Sequence, residues 1–106
     1  MLFYMIAGHA LMDFSLQNDT MALEKNRHRD SPMQKSVPWY YWLTAHALIH
    51  GGTVGYITGS IHLGIAETII HWIIDFGKCE KWYNIHVDQF LHIACKVVWY
   101  LIMTQT

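Results

Sequence analysis

Apolar residues fall into four long segments, and short polar stretches separate them. No segment alternates strictly between apolar and polar positions, as a half-buried strand would. Each segment has about 18 to 22 residues, which as a helix would span close to 30 Å. The pattern therefore predicts an all-α domain of four helices, at about 2–23, 38–58, 60–76 and 86–103. Connections this short predict an antiparallel up-down-up-down four-helix bundle.

The residues between the segments are typical of helix ends. Charged residues and a proline fill the stretch 24–32, which predicts a solvated loop. Pro38 suits the first turn of a helix, and Gly59 with Ser60 predicts a tight reversal. Gly77 predicts the C-terminal cap of the third helix.

Composition predicts a lipid environment for this bundle. The chain of 106 residues is 53% hydrophobic and only 14% charged, against about 25% charged in ordinary soluble domains. No Asp, Glu, Lys or Arg occurs from Ser36 to Ala66, and a domain this small cannot bury four helices that are apolar on all sides. We expect the bundle to be embedded in the inner (cytoplasmic) membrane with the lipid bilayer as its partner. The alternative is a soluble cytoplasmic bundle that forms a homo-oligomer through its apolar sides.

The basic residues give the orientation. Both loops at one end of an antiparallel bundle, 24–35 and 78–85, would face the cytoplasm by the positive-inside rule. Between them they hold Lys25, Arg27, Arg29, Lys35, Lys78 and Lys81.

The net charge of -1 argues against binding to a nucleic-acid backbone. The two cysteines, Cys79 and Cys95, favour a reducing compartment, and we expect the apolar N-terminus to belong to the fold.

Every predicted helix carries two potential metal ligands spaced four residues apart. Residues at this spacing lie on one helix face, so all the pairs can point at a common centre in the bundle. The pairs are His9 with Asp13, His46 with His50, His71 with Asp75, and Asp88 with His92.

These residues predict a divalent metal site. Five histidines and three aspartates exceed what one tetrahedral zinc can use, so we expect either two ions, or one ion whose direct ligands are supported by the remaining residues. Imidazole and carboxylate without thiolate suit Zn, Mn, Fe or Ni. The alternative is a hydrogen-bonded polar core in which the His-Asp pairs specify helix register.

A two-ion centre is suited to hydrolysing a phosphoester, because it clamps a phosphoryl group and activates a water molecule. Glu67 lies one turn before His71 and would be a further ligand, the catalytic general base, or simply a hydrogen-bonding partner of that histidine. Lys96, one turn beyond His92, would extend outward or contact the substrate phosphate. The basic loops would attract an anionic, phosphate-containing substrate to the site.

Four blocks of the sequence resemble a known family. His9-Ala-Leu-Met-Asp13-Phe14-Ser-Leu-Gln17, continuing to Lys25, resembles the N-terminal signature of the bacterial and phage membrane proteins termed domain of unknown function 3307. The later blocks resemble it in order: 46–51, 71–76 and 88–92. A looser likeness to small membrane-associated metal-dependent hydrolases favours phospholipid or nucleotide-type substrates. The resemblance implies that Gln17, Lys25 and Gln89 contact the substrate or support the ligands.

Two other functions fit the same residues. The protein would be a non-enzymatic membrane or phage-encoded interaction protein if its metal or His-Asp network only holds the bundle together. A metal or proton carrier would need ligands that continue toward the far end of the bundle, where only His62 is found.

Overall fold

The computed structural model describes residues 1–15, 25–28 and 37–105, and these residues contain helices but no strand. The prediction of an all-α fold is confirmed for this part of the chain. In chain order the elements are α1 (Leu2–Ala10) with a π-helical turn (Leu11–Ser15), α2 (Trp39–Thr58), α3 (Ile61–Cys79) and α4 (Ile85–Gln105).

The reversal between α2 and α3 follows from its sequence. Gly59 adopts a left-handed conformation with φ of 71°, which ends α2 without the steric penalty that a side chain would meet. Ser60 then caps α3, because its hydroxyl accepts a hydrogen bond from the amide of Leu63 at 3.3 Å. The predicted turn at Gly59 and Ser60 is confirmed.

The prediction that Gly77 ends the third helix is wrong, since α3 continues to Cys79. Gly77 instead makes room for the ring of Tyr83, whose hydroxyl would lie 2.6 Å from a Cβ at this position. That hydroxyl donates a hydrogen bond to the carbonyl of Ile74. The left-handed residue after α3 is Lys81, with φ of 64°.

Neighbouring helices pack in antiparallel fashion. The main contacts join α1 to α2, α2 to α3, α3 to α4, and α4 back to α1. On α1 and the turn that follows it, Gly8 faces Thr53 while Asp13 lies beside His46, so the two helices run in opposite directions. The other pairs show the same reversal. This is the arrangement expected of an antiparallel four-helix bundle.

The helices α2 and α3 make the most extensive contact in the described chain. Gly51 permits it, because a Cβ there would lie only 2.6 Å from the carbonyl oxygen of Gly64. Small residues at such a crossing let two helix backbones approach closely.

The interior is divided along the bundle axis. Toward the Gly59 turn it is apolar, with a core cluster of Met5, Val54, Leu63 and Trp99. Toward the opposite end the buried side chains are mostly imidazoles, carboxylates and lysines.

Within the described ranges, no helix is both long and apolar enough to cross a membrane. The predicted membrane embedding therefore gains no support from the helices. The polar residues in their interiors are the physical reason, because α3 carries Glu67, His71 and Asp75 and α4 carries Asp88 and Lys96.

Candidate metal centre

The structure brings the four predicted pairs together inside the bundle. The three helices α2, α3 and α4 and the first segment, α1 with its π-helical turn, each contribute one pair to the buried face, as the four-residue spacing predicts. All of these residues are buried, and none is more than 9% exposed: His9, Asp13, His46, His50, His71, Asp75, Asp88 and His92.

One group of ligand atoms contains three imidazoles and one carboxylate. We call Asp13, His46, His50 and His71 the nitrogen-rich set, since one potential ligand atom from each lies within 4.8 Å of all the others. Asp13 Oδ1 is 3.1 Å from His46 Nε2 and 3.3 Å from His50 Nε2. The rings of His50 and His71 are stacked, with their centroids 3.8 Å apart.

A second group contains two carboxylates and one imidazole. We call Asp75, Asp88 and His92 the oxygen-rich set, which meets the same 4.8 Å limit. His92 Nε2 lies 3.0 Å from Asp75 Oδ1 and 3.3 Å from Asp88 Oδ1. A third group of His9, His71 and His92 overlaps both sets.

Several atoms at the centre are buried without a hydrogen-bond partner in the described part of the chain. They are His9 Nδ1, His50 Nε2, both ring nitrogens of His71, His92 Nδ1 and Asp88 Oδ1. Leaving a buried polar group unsatisfied costs about 1 to 3 kcal/mol. A native fold rarely accepts so many at one place, so the cluster calls for a further binding partner.

The short distances between unaligned groups are those that a bound cation would need. His50 Nε2 and Asp13 Oδ1 are 3.3 Å apart, yet His50 Nε2 forms no hydrogen bond among the described residues. Two ligands that each bind one ion at about 2.1 Å, with an angle between 90° and 110°, are themselves separated by about 3.0 to 3.4 Å. The cluster therefore has the spacing and the donor chemistry of a divalent metal site.

The carboxylates are held in the charged form that binds cations. Burial alone would raise the pKa of Asp13, but His46, His50 and Gln89 outweigh it and hold the pKa well below its ordinary value. The pKa of Asp75 is lowered in the same way by His46, His71 and His92, against the effect of burial.

The imidazoles fall into two classes. Burial lowers the pKa of His50 to about 3 and that of His9 to about 4, so both are neutral near pH 7. Burial also opposes protonation of His92, but Asp75 and Asp88 prevail and raise its pKa to about 9. The pKa of His46 is raised for the same reason, since Asp13 and Asp75 outweigh its burial.

Lys25 reaches the centre from the segment 25–28. Its side chain is buried, and its Nζ donates a hydrogen bond to Asp75 Oδ2 at 3.0 Å. Arg27 and His28 fasten this segment to the bundle, since both donate to the Glu80 carboxylate. These hydrogen bonds lower the pKa of Glu80 to about 2.

The other basic residues predicted around the opening are only partly described. Arg27, Lys78 and Lys81 lie at the end of the bundle where Lys25 enters. Arg29, Lys35 and the predicted substrate contact Gln17 lie outside the described residues.

Gln89 connects three members of the cluster. Its Oε1 accepts a hydrogen bond from His9 Nε2 at 2.9 Å. Its Nε2 donates to Asp13 Oδ2 at 2.8 Å and to Asp88 Oδ2 at 3.1 Å. With Nε2 of His9 engaged in this way, its Nδ1 is the nitrogen that remains for an ion. The geometry favours a supporting role for Gln89 in orienting ligands.

Glu67 and Lys96 form a buried ion pair behind the cluster. Each is 1% exposed, and Lys96 donates a hydrogen bond to Glu67 rather than extending outward. Trp99 Nε1 donates to the other carboxylate oxygen at 2.9 Å. His71 lies between this pair and the centre, because its Nδ1 is 3.4 Å from Glu67 and its Nε2 is 3.4 Å from Asp75. Glu67 is thus an ion-pair neighbour of His71 at 3.4 Å, without an aligned hydrogen bond between them.

Two contributors have no spacing signal in the sequence. Trp99 donates to Glu67 from a position outside the four-residue pairs, and Glu80 accepts from Arg27 and His28 in a charged stretch. The remaining histidines stay away from the centre: His62 and His86 are exposed, and His28 contacts Glu80.

Taken together, the fold and the site define an antiparallel helical protein with a buried centre of histidine and aspartate ligands. The chain belongs to the family described as protein of unknown function (DUF3307), whose model matches residues 1–106. This confirms the family resemblance, while the likeness to membrane-associated hydrolases stays a prediction. Comparisons with curated proteins and with solved structures found no match.

Proposed function

We propose that this protein is a metal-dependent hydrolase of phosphoesters, with one or two divalent ions bound in the bundle interior. The observation that carries the proposal is the convergence of buried ligand atoms that lack hydrogen-bond partners within the described chain. Zn, Mn, Fe and Ni all suit these donors. A bound divalent ion would polarise the phosphoryl group and lower the pKa of a water molecule.

The chain's own charges suit an anionic substrate. Lys25 Nζ is 3.0 Å from Asp75 Oδ2, so this ammonium group lies at the edge of the centre nearest the loops. There it would bind a non-bridging phosphoryl oxygen as the substrate approaches. Lys96 is fully committed to Glu67 and would act at longer range by compensating negative charge.

The substrate class follows from the surroundings of this opening. Arg27, Lys78 and Lys81 add positive charge at the same end, which favours a phosphoester of the phospholipid or nucleotide type. Of these two substrates the lateral surface favours the phospholipid, because α3 exposes a stripe of isoleucines one helical turn apart. These are Ile61, Ile65, Ile69 and Ile73, each more than 50% exposed.

We place the protein at the cytoplasmic membrane, with the loops 24–35 and 78–85 on the cytoplasmic side. Among the described residues, charged side chains are either buried in the centre or located at the loop end, so the sides of the bundle present an uncharged surface. Such a surface suits contact with lipid. A homo-oligomer in the cytoplasm would cover the same isoleucine stripe and is the alternative location.

The test begins with metal content. The purified protein, free of affinity-tag metal, should hold at least about one ion per chain by elemental analysis, and His71→Ala should hold much less. The metal-loaded protein should then hydrolyse at least one generic phosphodiester, phosphomonoester, phospholipid or nucleotide, and a chelator should abolish the activity while the fold persists. A metal-loaded protein inert on all four would refute the hydrolase and support a structural ion in an interaction protein.

A further inference from the structure

We infer that the centre holds two ions in chemically unequal subsites, with the Asp75 carboxylate bridging them. The inference rests on the metal-binding part of the proposed function and does not depend on which reaction follows. It assigns the first ion to the nitrogen-rich set and the second to the oxygen-rich set.

The two sets are separate. They share no residue, so each set has its own donors for an ion. The third group adds no independent site, because it takes His71 from the nitrogen-rich set and His92 from the oxygen-rich set. His9, its remaining member, already donates Nε2 to Gln89 and has only Nδ1 to offer. Two ions are therefore the number that the described ligands accommodate.

Asp75 lies between the sets with one oxygen toward each. Its Oδ2 is 3.0 Å from His46 Nε2 and 3.4 Å from His71 Nε2, both in the nitrogen-rich set. The same oxygen accepts the hydrogen bond of Lys25 Nζ, which would have to turn away from it, toward the substrate, when the first ion binds. Its Oδ1 is 3.0 Å from His92 Nε2, in the oxygen-rich set. A carboxylate that presents its two oxygens to different donor sets is placed to bridge two ions, which in two-metal sites are about 3.5 to 4 Å apart.

Both sets contain a buried ligand atom beside a group with which it makes no aligned hydrogen bond. In the nitrogen-rich set His50 Nε2 lies 3.3 Å from Asp13 Oδ1, and in the oxygen-rich set Asp88 Oδ1 lies 3.3 Å from His92 Nε2. Neither His50 Nε2 nor Asp88 Oδ1 has a hydrogen-bond partner among the residues described. Each set therefore contains a buried ligand atom that another protein group does not satisfy.

The donors predict different metal preferences. Imidazole suits Zn, Fe and Ni, whereas carboxylate oxygen with water suits Mn and Mg. The nitrogen-rich set should therefore take Zn²⁺ first and tightly. The oxygen-rich set should bind more weakly and accept Mn²⁺, with solvent completing its coordination.

The experiment is a metal titration of the metal-free, full-length protein. Zn²⁺ should bind in two resolved steps that total two ions per chain, and protein loaded with one Zn²⁺ should take up one Mn²⁺. His50→Ala should weaken the first Zn²⁺ step at least about tenfold and leave Mn²⁺ binding unchanged. Asp88→Asn should weaken Mn²⁺ binding by a similar factor and leave the first Zn²⁺ step unchanged. His86→Ala is the control, since this exposed histidine lies outside both sets and should change neither step.

The bridge has its own measurement on the unmodified protein. Loaded with two Mn²⁺, the chain should give an exchange-coupled electron paramagnetic resonance spectrum rather than two isolated six-line signals. Saturation at one ion, two indistinguishable steps, or two uncoupled Mn²⁺ ions would each overturn this inference and leave the metal-binding proposal standing. A chain that binds no ion would overturn both this inference and the metal-binding proposal. The number of bound ions is measured on the unmodified protein, so this test remains decisive even if a variant fails to fold.

Discussion

Glu67 shows how a single residue supports the centre without lying in either donor set. Its carboxylate takes hydrogen bonds from Lys96 and Trp99 and lies 3.4 Å behind His71. Burial would raise the pKa of Glu67, but His71 and Lys96 outweigh it and lower the pKa to about 2. A carboxylate behind a ligating histidine holds the ring in place and strengthens it as a ligand.

Replacing Glu67 by Gln should therefore weaken both the fold and metal binding. Lys96 would lose its buried counter-charge, which costs about 3 to 5 kcal/mol when one partner is removed. Metal affinity should fall about 10-fold to 100-fold. Chemical denaturation and metal titration measure the two effects.

The double variant Glu67→Gln with Lys96→Met separates these effects. It removes the unpaired ammonium, so much of the stability should return while metal affinity stays low. A Glu67→Gln protein that binds metal as tightly as the unmodified protein would show that Glu67 does not support His71.

The protonation of His92 predicts that metal binding releases a proton. The pKa of His92, raised to about 9, means that this residue carries a proton near pH 7 that an ion must displace, and the raised pKa of His46 acts in the same direction. Calorimetry in buffers of different ionisation enthalpy should detect this release, and metal affinity should rise with pH up to about 9. Affinity that is independent of pH between 6 and 9 would contradict the assignment of these ligands.

The raised pKa of His92 makes the stability of the metal-free fold decrease with rising pH, whereas metal affinity increases. The pKa of His92 is raised above its ordinary value of 6.5 by Asp75 and Asp88, which outweigh burial. Its contribution to stability is therefore complete below about pH 6.5 and is lost as the pH rises through about 9. His92 should therefore contribute least to the stability of the metal-free protein at the pH where metal binding is strongest, which urea unfolding of the metal-free protein at pH 6 and pH 9 measures.

At the scale of elements, the crossing of α2 and α3 positions two of the contributed pairs. Gly51→Ala should loosen this crossing, since its Cβ would lie 1.7 Å from Thr68 Oγ1 and 2.6 Å from the backbone oxygen of Gly64. Overpacking of this kind costs about 1 to 3 kcal/mol. His50 lies next to Gly51 in sequence, so metal affinity should fall as well.

Gly52→Ala is the matched control for this prediction. Its Cβ would meet nothing within 4 Å, so the variant should gain up to about 1 kcal/mol from better helix propensity. Thermal and urea unfolding of both variants gives the comparison. Equal stability changes in the two would show that the close approach of α2 and α3 does not limit stability.

The spacing of residues within each segment predicts which face of a helix points inward, but it does not predict contacts between helices that are distant in sequence. Four-residue spacing gives the inward pairs because it depends only on helical geometry. The pairing of Glu67 with Lys96 and Trp99, and the entry of Lys25, depend on how separate elements pack, which spacing does not encode. The π-helical turn at Leu11–Ser15, which carries Asp13, has no signal of its own either.

At the scale of the whole molecule, the interior collects more carboxylates than lysines. Asp13, Asp75, Asp88 and Glu67 are buried there with the ammonium groups of Lys25 and Lys96, and the protonated ring of His92 adds positive charge near pH 7. Divalent ions would take the place of such protons beside the carboxylates, so the folded state should bind them far better than the unfolded chain. At a hundredfold excess over Kd, one ion would stabilise the fold by about 2.7 kcal/mol.

The midpoint of thermal unfolding should therefore rise with metal concentration. A shift of about 10 °C is expected for each such ion in a chain of this size, and EDTA should reverse it. Differential scanning calorimetry at several Zn²⁺ and Mn²⁺ concentrations measures this. An unfolding midpoint that stays constant across these concentrations would contradict a buried metal site.

The division of the interior along the bundle axis also governs how the molecule opens. The apolar end, with Met5, Val54, Leu63 and Trp99, should keep its packing whether or not an ion is bound, because apolar contacts hold it together. The polar end is stable only while its buried charged groups have partners, so it is the region that should unfold locally first. Backbone amides near Gly59 should then exchange slowly in the metal-free protein, while those around Asp75 and Asp88 exchange through local opening. An ion would enter its buried site by the same opening, so uptake could proceed without unfolding the whole chain.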